Sequence, residues 1–448
     1  MLRVCLVEDA KTGQLEPLSA TRPVFDLLTG MTSLADKQRS VFAVAQVDVC
    51  VRPELAALQR QSQPTQRVNE LTALLEAAAT EPVYCVNARW LPDERGPALP
   101  ALALAQAERT AAAAWVIDGQ LALVRVDAPS LARFLSACPA EDQPLQFWPY
   151  LEQLANRLPQ FPIGGRLVEY LWELVAANGE QIGRDLAARR PTNRAGFRPS
   201  TFEVVGRSEA LLIDPSARID PFVVADTTQG PVVIDRHAVV TAFTRLEGPC
   251  WIGPYAQVHG AKIRAGTSLG PHSRVGGEVE ASIIQGYTNK YHDGFLGHSY
   301  LGEWVNFGAG THTSDLRNDY ATVRVVQGND LIPTGQAKVG SFVGDHVKTG
   351  LGVLLNTGSH IGPFAQLLPN GQLLPKFVPA FGQYRYGTLI DTPDPSAFIS
   401  IAEVAMRRRG VVLTEAHRQA YLQLHARTTP LRRAAIREAE QRRLRRSA

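Results

Sequence analysis

The sequence predicts an α/β domain followed by a left-handed parallel β-helix and a helical tail. Three observations carry that reading. Strand and helix patterns alternate over residues 1–190, a six-residue hydrophobic period runs through 204–385, and residues 395–448 are helical and rich in arginine. A chain of 448 residues is too long for one ordinary core, so two or three domains are expected.

In the first region MLRVCLV, FAVAQVDVCV, PVYCVNA and AAWVI read as strands, whereas LTALLEAAA, SLARFLSAC and LVEYLWELVAA have helical spacing. Alternation of this kind predicts a mostly parallel sheet covered by helices. The opening MLRVCLVEDA carries two acids where a secretory leader would be apolar, and it reads as a first strand. After Gly183 the stretch RDLAARRPTNRAGFRPS reads as a connector, with a linker at 191–203.

From about residue 204 glycine, proline and isolated aliphatics replace the alanine-rich helices. Ile234, Val240, Leu246, Ile252 and Val258 are six residues apart. Ile263, Leu269 and Val275 follow after a one-residue slip, and Phe295, Leu301 and Phe307 keep the step, as do Leu355, Ile361, Leu367 and Leu373. A period of six fits neither a helix nor a plain strand. It fits a triangular prism in which each rung buries one aliphatic side chain and a following small residue turns the corner. Each coil buries its apolar face only against its neighbours, so stability accumulates by stacking. The period breaks between Thr311 and Lys338, in a polar excursion where function tends to sit.

The tail reads as three helices, AFISIAEVAMRRR, LTEAHRQAYLQLHA and LRRAAIREAEQRRLRR. From Arg407 onward it holds twelve arginines against three glutamates, which reads as a solvated helix face. It has no interleaved aromatic platform, which argues against nucleic acid as a partner. The chain is 45% hydrophobic and 20% charged, as expected of a soluble globular protein. No apolar run is long enough to span a bilayer. Five scattered cysteines without a CxxC pair argue against a disulfide framework or structural zinc, and for a reducing cytoplasm.

The stretch NKYHDGFLGHSYLGEWVNFGAGTHTSDLRNDYATVR, at 289–324, resembles the β-helix of GlmU-type enzymes, the bifunctional amino-sugar-phosphate acetyltransferases and uridylyltransferases. The opening TRPVFDLLTGMTSLADK and the segment NGEQIGRDL are similar to a divergent GlmU-like branch of sugar nucleotidyltransferases. The resemblance covers most of residues 1–380. It implies a nucleotidyltransferase-like N-terminal domain, an acyltransferase β-helix and a homotrimer with acyl-CoA in the grooves between prisms.

The resemblance also implies roles. His292 matches the general base of acetyl transfer, and the neighbouring Asp293 is a candidate to orient its imidazole. Asn306 matches a substrate-contacting asparagine; Lys290, Phe295 and Asp315 are further candidates for binding the substrate or acyl-CoA. Phe295 replaces a family tyrosine, and Asp315 and Leu316 replace an Asn-Tyr pair. The family's sugar-phosphate lysine has no counterpart. The cations near in sequence are Lys262, Arg264, Arg274 and Lys290.

In the N-terminal domain the first strand runs into Glu8-Asp9-Ala10-Lys11-Thr12-Gly13, without the glycine-rich phosphate loop of such enzymes. Arg22 and Lys37 are the candidate phosphate pair there. Asn87 and Asn178 stand where related enzymes place ligands for Mg2+, although an amide is a poorer magnesium ligand than a carboxylate. The implied function is sugar-nucleotide synthesis for cell-envelope or surface polysaccharide, such as UDP-N-acetylglucosamine, from sugar phosphate, nucleoside triphosphate and acyl-CoA. The alternative is a non-catalytic trimeric scaffold or sugar-nucleotide-binding regulator with a degenerate N-terminal domain.

Overall fold

The computed structural model describes residues 2–42, 47–93, 112–189, 202–328 and 330–447, with side chains as far as 441. Contacts divide the chain into two compact units. One comprises Met1–Leu15, Arg22–Leu27 and Thr32–Glu169, the other Glu16–Thr21, Leu28–Met31 and Tyr170–Ala448. The expected linker lies outside the described residues up to 201 and is strand from Phe202. The connector expected after Gly183 begins instead as the last turn of the helix Leu171–Ala188.

The first unit holds a six-stranded sheet in the order Asp48–Cys50, Arg3–Val7, Val83–Asn87, Gln120–Val126, Ala113–Ile117, Gln160–Pro162. Arg3–Val7 runs parallel to both of its neighbours, as the alternating pattern predicts. Gln120–Val126 is antiparallel to both of its neighbours. The sequence reading missed that strand, although its signal was present. Asp118 (φ +49°) and Gly119 (φ +76°) form the two-residue turn of a hairpin with Ala113–Ile117. Helices Leu71–Ala78, Ala128–Ala137 and Gln143–Ala155 bury Leu74, Leu131, Phe134, Phe147 and Leu151 with the sheet residues Cys5, Cys85 and Val124.

The second unit is a parallel β-solenoid of about ten turns. One face stacks nine strands from Leu211–Ile213 to Phe377–Val378 in register, so that Ile213, Ile234, Ile252, Leu269, Ile284 and Leu301 form one interior column. Ile252, Val258, Leu269, Leu301, Ile361 and Leu367 are all 0% exposed, as the six-residue period requires. Two positions differ. Leu296 and Leu374 are the buried residues where the period places Phe295 and Leu373, because the chain slips by one residue at each coil. Val279 pairs with Leu296, and that partnership fixes which residue turns inward. The excursion expected after Thr311 is present, with an antiparallel hairpin of Arg324–Gln327 and Asp330–Pro333.

One corner of the solenoid was not foreseen. His237, Tyr255, His272, Tyr287, Trp304, His346, Phe364 and Phe381 all have φ between +50° and +64°. Side chains this bulky rarely adopt that conformation. Here each ring lies against the next, as in Tyr255–His272 at 4.8 Å and Tyr287–Trp304 at 4.3 Å, and that packing offsets the backbone strain. The lower part of this ladder is covered by Ser396–Arg407 and Glu415–Ser447, whose Ile399, Ala402, Met406, Tyr421 and Leu424 are buried with Trp304, Phe364 and Phe381.

The tail forms two helices, not three, since Glu415–Ser447 continues through Pro430. In the turn before the proline, Thr428 and Thr429 hydroxyls donate to the Leu424 and His425 carbonyls. Arg432, one of the tail arginines read as solvated, is 1% exposed. Its Nε donates to Asp391 Oδ1 at 2.5 Å and so anchors the helix to the last strands.

Candidate active site

The two sequence segments that resemble the GlmU-like branch meet at a brace on the solenoid. Asn178 Oδ1 accepts from the Gly30 amide at 2.7 Å, and its Nδ2 donates to the Gly266 carbonyl at 2.8 Å. Asp185 Oδ2 accepts from the Met31 amide, and Ser268 Oγ donates to the Gly30 carbonyl. Gly30 (φ +69°) has no room for a side chain, because a Cβ there would lie 2.5 Å from Asp185 Oδ2. Asn178 is fully buried with both ends of its amide committed, so it is not a magnesium ligand here.

In the first unit, the carboxyl ends of parallel strands are where α/β sheets ordinarily bind ligands. The chain fills that place with its own charges. Asp9 and Arg89 pair at 2.6 Å, with side chains 6% and 2% exposed. Asn87 donates to the same carboxylate from Nδ2 and accepts from the Arg89 amide, so both ends of its side chain are engaged within the cluster. Glu8 binds Arg52 at 3.0 Å and accepts from the Val24 amide. Among the described residues no group of three His, Cys, Asp or Glu side chains is arranged to hold a metal ion. The residues present do not fit Mg2+. Of the candidate phosphate pair, Lys37 is 8% exposed and donates to Thr32 Oγ1, and Arg22 is 9% exposed.

On the solenoid, His292 stands exposed in the turn between Asn289–Lys290 and Phe295–Gly297, its ring edge-on to Tyr291 at 5.3 Å. Among the described residues no hydrogen bond joins it to Asp293. Lys290, a candidate for ligand contact, occupies an inward position paired with Val275 and is 2% exposed. Its Nζ donates to the carbonyls of Gly276 (2.7 Å) and His292 (3.1 Å), so it is an interior strut beneath the histidine turn. Burial pushes its pKa down to about 8. Phe295 is half-buried, and its amide donates to His312 Nδ1.

The carboxylate–imidazole contact expected at 292–293 occurs one rung along. His298 Nδ1 lies 2.7 Å from Asp315 Oδ2, an arrangement in which Nδ1–H donates to the carboxylate and Nε2 is left as the acceptor. Asp315 is thus brought to a histidine, and nothing in its contacts marks it for a substrate. Asn306 meets Asn289, whose Nδ2 donates to its Oδ1 at 2.9 Å. Both line a cavity of about 180 Å3 with Arg274, Tyr287, Trp304, Lys348, Arg408 and Arg409. The sequence reading missed Arg408 and Arg409 because they lie about a hundred residues beyond the matching motif. Of the other nearby cations, Arg264 is occupied by Glu278 at 3.0 Å.

Residues 4–191 match the family described as "Sugar nucleotidyl transferase". A bifunctional sugar-1-phosphate nucleotidylyltransferase/acetyltransferase of Sulfurisphaera tokodaii is 37% identical over 109 residues, 24% of this chain and 27% of the relative. A bifunctional protein GlmU of Methanocaldococcus jannaschii is 38% identical over 104 residues, 23% and 25% of the two chains. The chain spans about a quarter of the length of these relatives. Among solved structures, the polySia-specific acetyltransferase NeuO aligns with 47% of this chain and 99% of its own, at 10% identity and a TM-score of 0.26. Residues 4–191 are thus similar to the sugar nucleotidyl transferase family, and the chain resembles GlmU-type enzymes over about a quarter of its length.

Proposed function

We propose that this protein is a transferase of sugar-nucleotide metabolism whose solenoid moves an acyl group from a coenzyme A thioester to an amino sugar. The observation that carries the reading is the exposed turn of His292, held from below by Lys290 and following the short strand whose Asn289 pairs with Asn306. In the transfer the amine nitrogen attacks the thioester carbon, a C–N bond forms and the C–S bond breaks. The nitrogen proton passes to imidazole Nε2 or Nδ1, and coenzyme A leaves as its thiolate. A solenoid trimer, with acyl-CoA between prisms, is part of this proposal; light scattering that finds a stable monomer at micromolar concentration removes it.

The 2.7 Å contact of His298 with Asp315 favours a second assignment of the base. The two separate cleanly. His292→Ala is expected to lower kcat for acyl transfer by roughly 10²–10⁴-fold, with little change in solenoid stability. If His298→Ala alone has that effect, the dyad is the base. If neither substitution matters to a transfer that occurs, histidine is not the base.

For the first unit, the buried Asp9–Arg89 pair supports a domain of the sugar nucleotidyl transferase family whose phosphate handling is altered or lost. Calorimetry with nucleoside triphosphates tests this. Binding that weakens in Arg22→Ala and in Lys37→Ala restores the catalytic reading.

A further inference from the structure

The cavity on the solenoid, beside the tail, gathers positive charge that the described protein leaves unneutralised. Arg274, Lys348, Arg408 and Arg409 line it together with the amides of Asn289 and Asn306, and no carboxylate does. Lys348 Nζ donates to the Trp304 carbonyl and Arg409 to the His272 carbonyl, so both are steadied by neutral acceptors. Arg274 Nε is buried without a hydrogen-bond partner. Burial, then Arg274 and Arg408, push the Arg409 guanidinium below its ordinary value. A protein does not ordinarily hold cations this close without an anion to share, and guanidinium groups suit phosphate because they bind it bidentately.

The position matters as much as the charge. Asn289 opens the two-residue strand that leads into the turn of His292, so the two are at most about 10 Å apart along the chain. A ligand with its phosphate among the arginines would lay its hydroxyls along Asn289 and Asn306 and reach the histidine turn with its other end. The missing sugar-phosphate lysine is thereby replaced from a different part of the chain. We propose that this cavity binds a phosphate monoester, held by Arg274, Arg408 and Arg409, and serves as the phosphate subsite of the acyl-transfer site. The monoester belongs either to the acceptor sugar or to the ribose 3′-phosphate of coenzyme A. The inference rests on the acyl-transfer reading for its role, but not for its binding.

Calorimetry on the full chain tests it with four probes: glucosamine 1-phosphate, glucosamine, coenzyme A and 3′-dephospho-coenzyme A. One phosphorylated probe is expected to bind better than its dephosphorylated partner, and the Arg408→Ala/Arg409→Ala double variant to weaken that probe roughly 10- to 100-fold. Preference for glucosamine 1-phosphate assigns the site to the acceptor; preference for coenzyme A assigns it to the donor. Arg407→Ala, an exposed arginine outside the lining, controls for general surface charge. Equal binding by wild type and double variant overturns the proposal, as does failure of both phosphorylated probes to bind the wild type at millimolar concentration. If binding follows the arginines but no acyl group is transferred, the subsite stands and the acyl-transfer reading falls.

Discussion

At the carboxyl ends of its parallel strands the first unit carries Asp9 and Arg89, paired at 2.6 Å and withdrawn from solvent. On the solenoid, Arg274, Arg408 and Arg409 converge on a cavity with no carboxylate in its lining. The first cluster stands where α/β sheets tend to bind ligands, yet it has satisfied its charge internally and the second has not. A buried ion pair must be broken before a triphosphate can use its arginine, which costs the desolvation of the abandoned aspartate. An unneutralised cluster carries the opposite cost. Its cations repel until an anion arrives, so binding relieves strain already present. The difference teaches where to look for activity in this chain, and it can be broken at either end.

Removing one partner gives the largest expected effect. Arg89→Ala leaves the buried Asp9 charge without its cation and with only neutral donors, at a cost of about 3–5 kcal/mol to the first unit. Arg409→Ala removes a repelled cation and is expected to change stability by no more than about 0.5 kcal/mol in either direction. Denaturant unfolding of the two variants measures both. If Arg89→Ala costs less than Arg409→Ala, the two clusters do not differ in the way described.

The sequence revealed the solenoid more fully than the site, and the reason is physical. An interior column must be apolar at every coil, so Ile252 through Leu301 leave a period that reads directly from the chain. A site is assembled from residues that only the fold brings together. His298 and Asp315 are 17 residues apart because that is nearly one coil, and Arg408 reaches the cavity from the tail. The aromatic corner was legible in principle, since His237, Tyr255 and His272 recur at about the coil length. An aliphatic period does not reveal it, because histidine and tyrosine are polar residues that only the stacked corner turns into packing. Arg432 was misread for the converse reason: in a run of arginines nothing in sequence distinguishes the one that is buried.

The one-residue slips provide a second test, on the solenoid alone. Leu374 is 1% exposed and Leu373 is 53% exposed, although the strict period selects Leu373. Leu374→Ala is expected to cost about 2–5 kcal/mol through the cavity it leaves. Leu373→Ala should stay within about 0.5 kcal/mol of wild type. Reversal of the two costs would restore the unbroken period and displace Lys376 and Phe377 with it.

The smallest effect concerns how the units respond to alkali, and its sign differs between them. Burial lowers Lys290 and Lys348 in the solenoid from the ordinary lysine value to about 8. Between about pH 8 and 10.5 the unfolded chain therefore binds more protons than the folded one, and stability rises with pH across that window. Below about pH 8 both states are protonated and the cost of burying the charge is fully present. In the first unit, burial raises the Cys5, Cys50 and Cys85 thiols above their ordinary value. Their contribution is intact below about pH 8.5 and is lost as pH rises past it, because only the unfolded thiols ionise. Cys250 opposes the lysines within the solenoid, so the clearest reading is a difference between wild type and variant. From pH 8 to 9.5 the wild-type solenoid should gain roughly 2 kcal/mol relative to Lys290→Met, at about 1.4 kcal/mol per pH unit. Denaturation series at each pH, followed by pulsed hydrogen exchange at one fixed pH, report Ile283–Gly286 and Val83–Asn87 separately. Parallel pH curves for wild type and Lys290→Met would mean that Lys290 titrates as an ordinary surface lysine, and its place as a strut beneath the His292 turn would be lost.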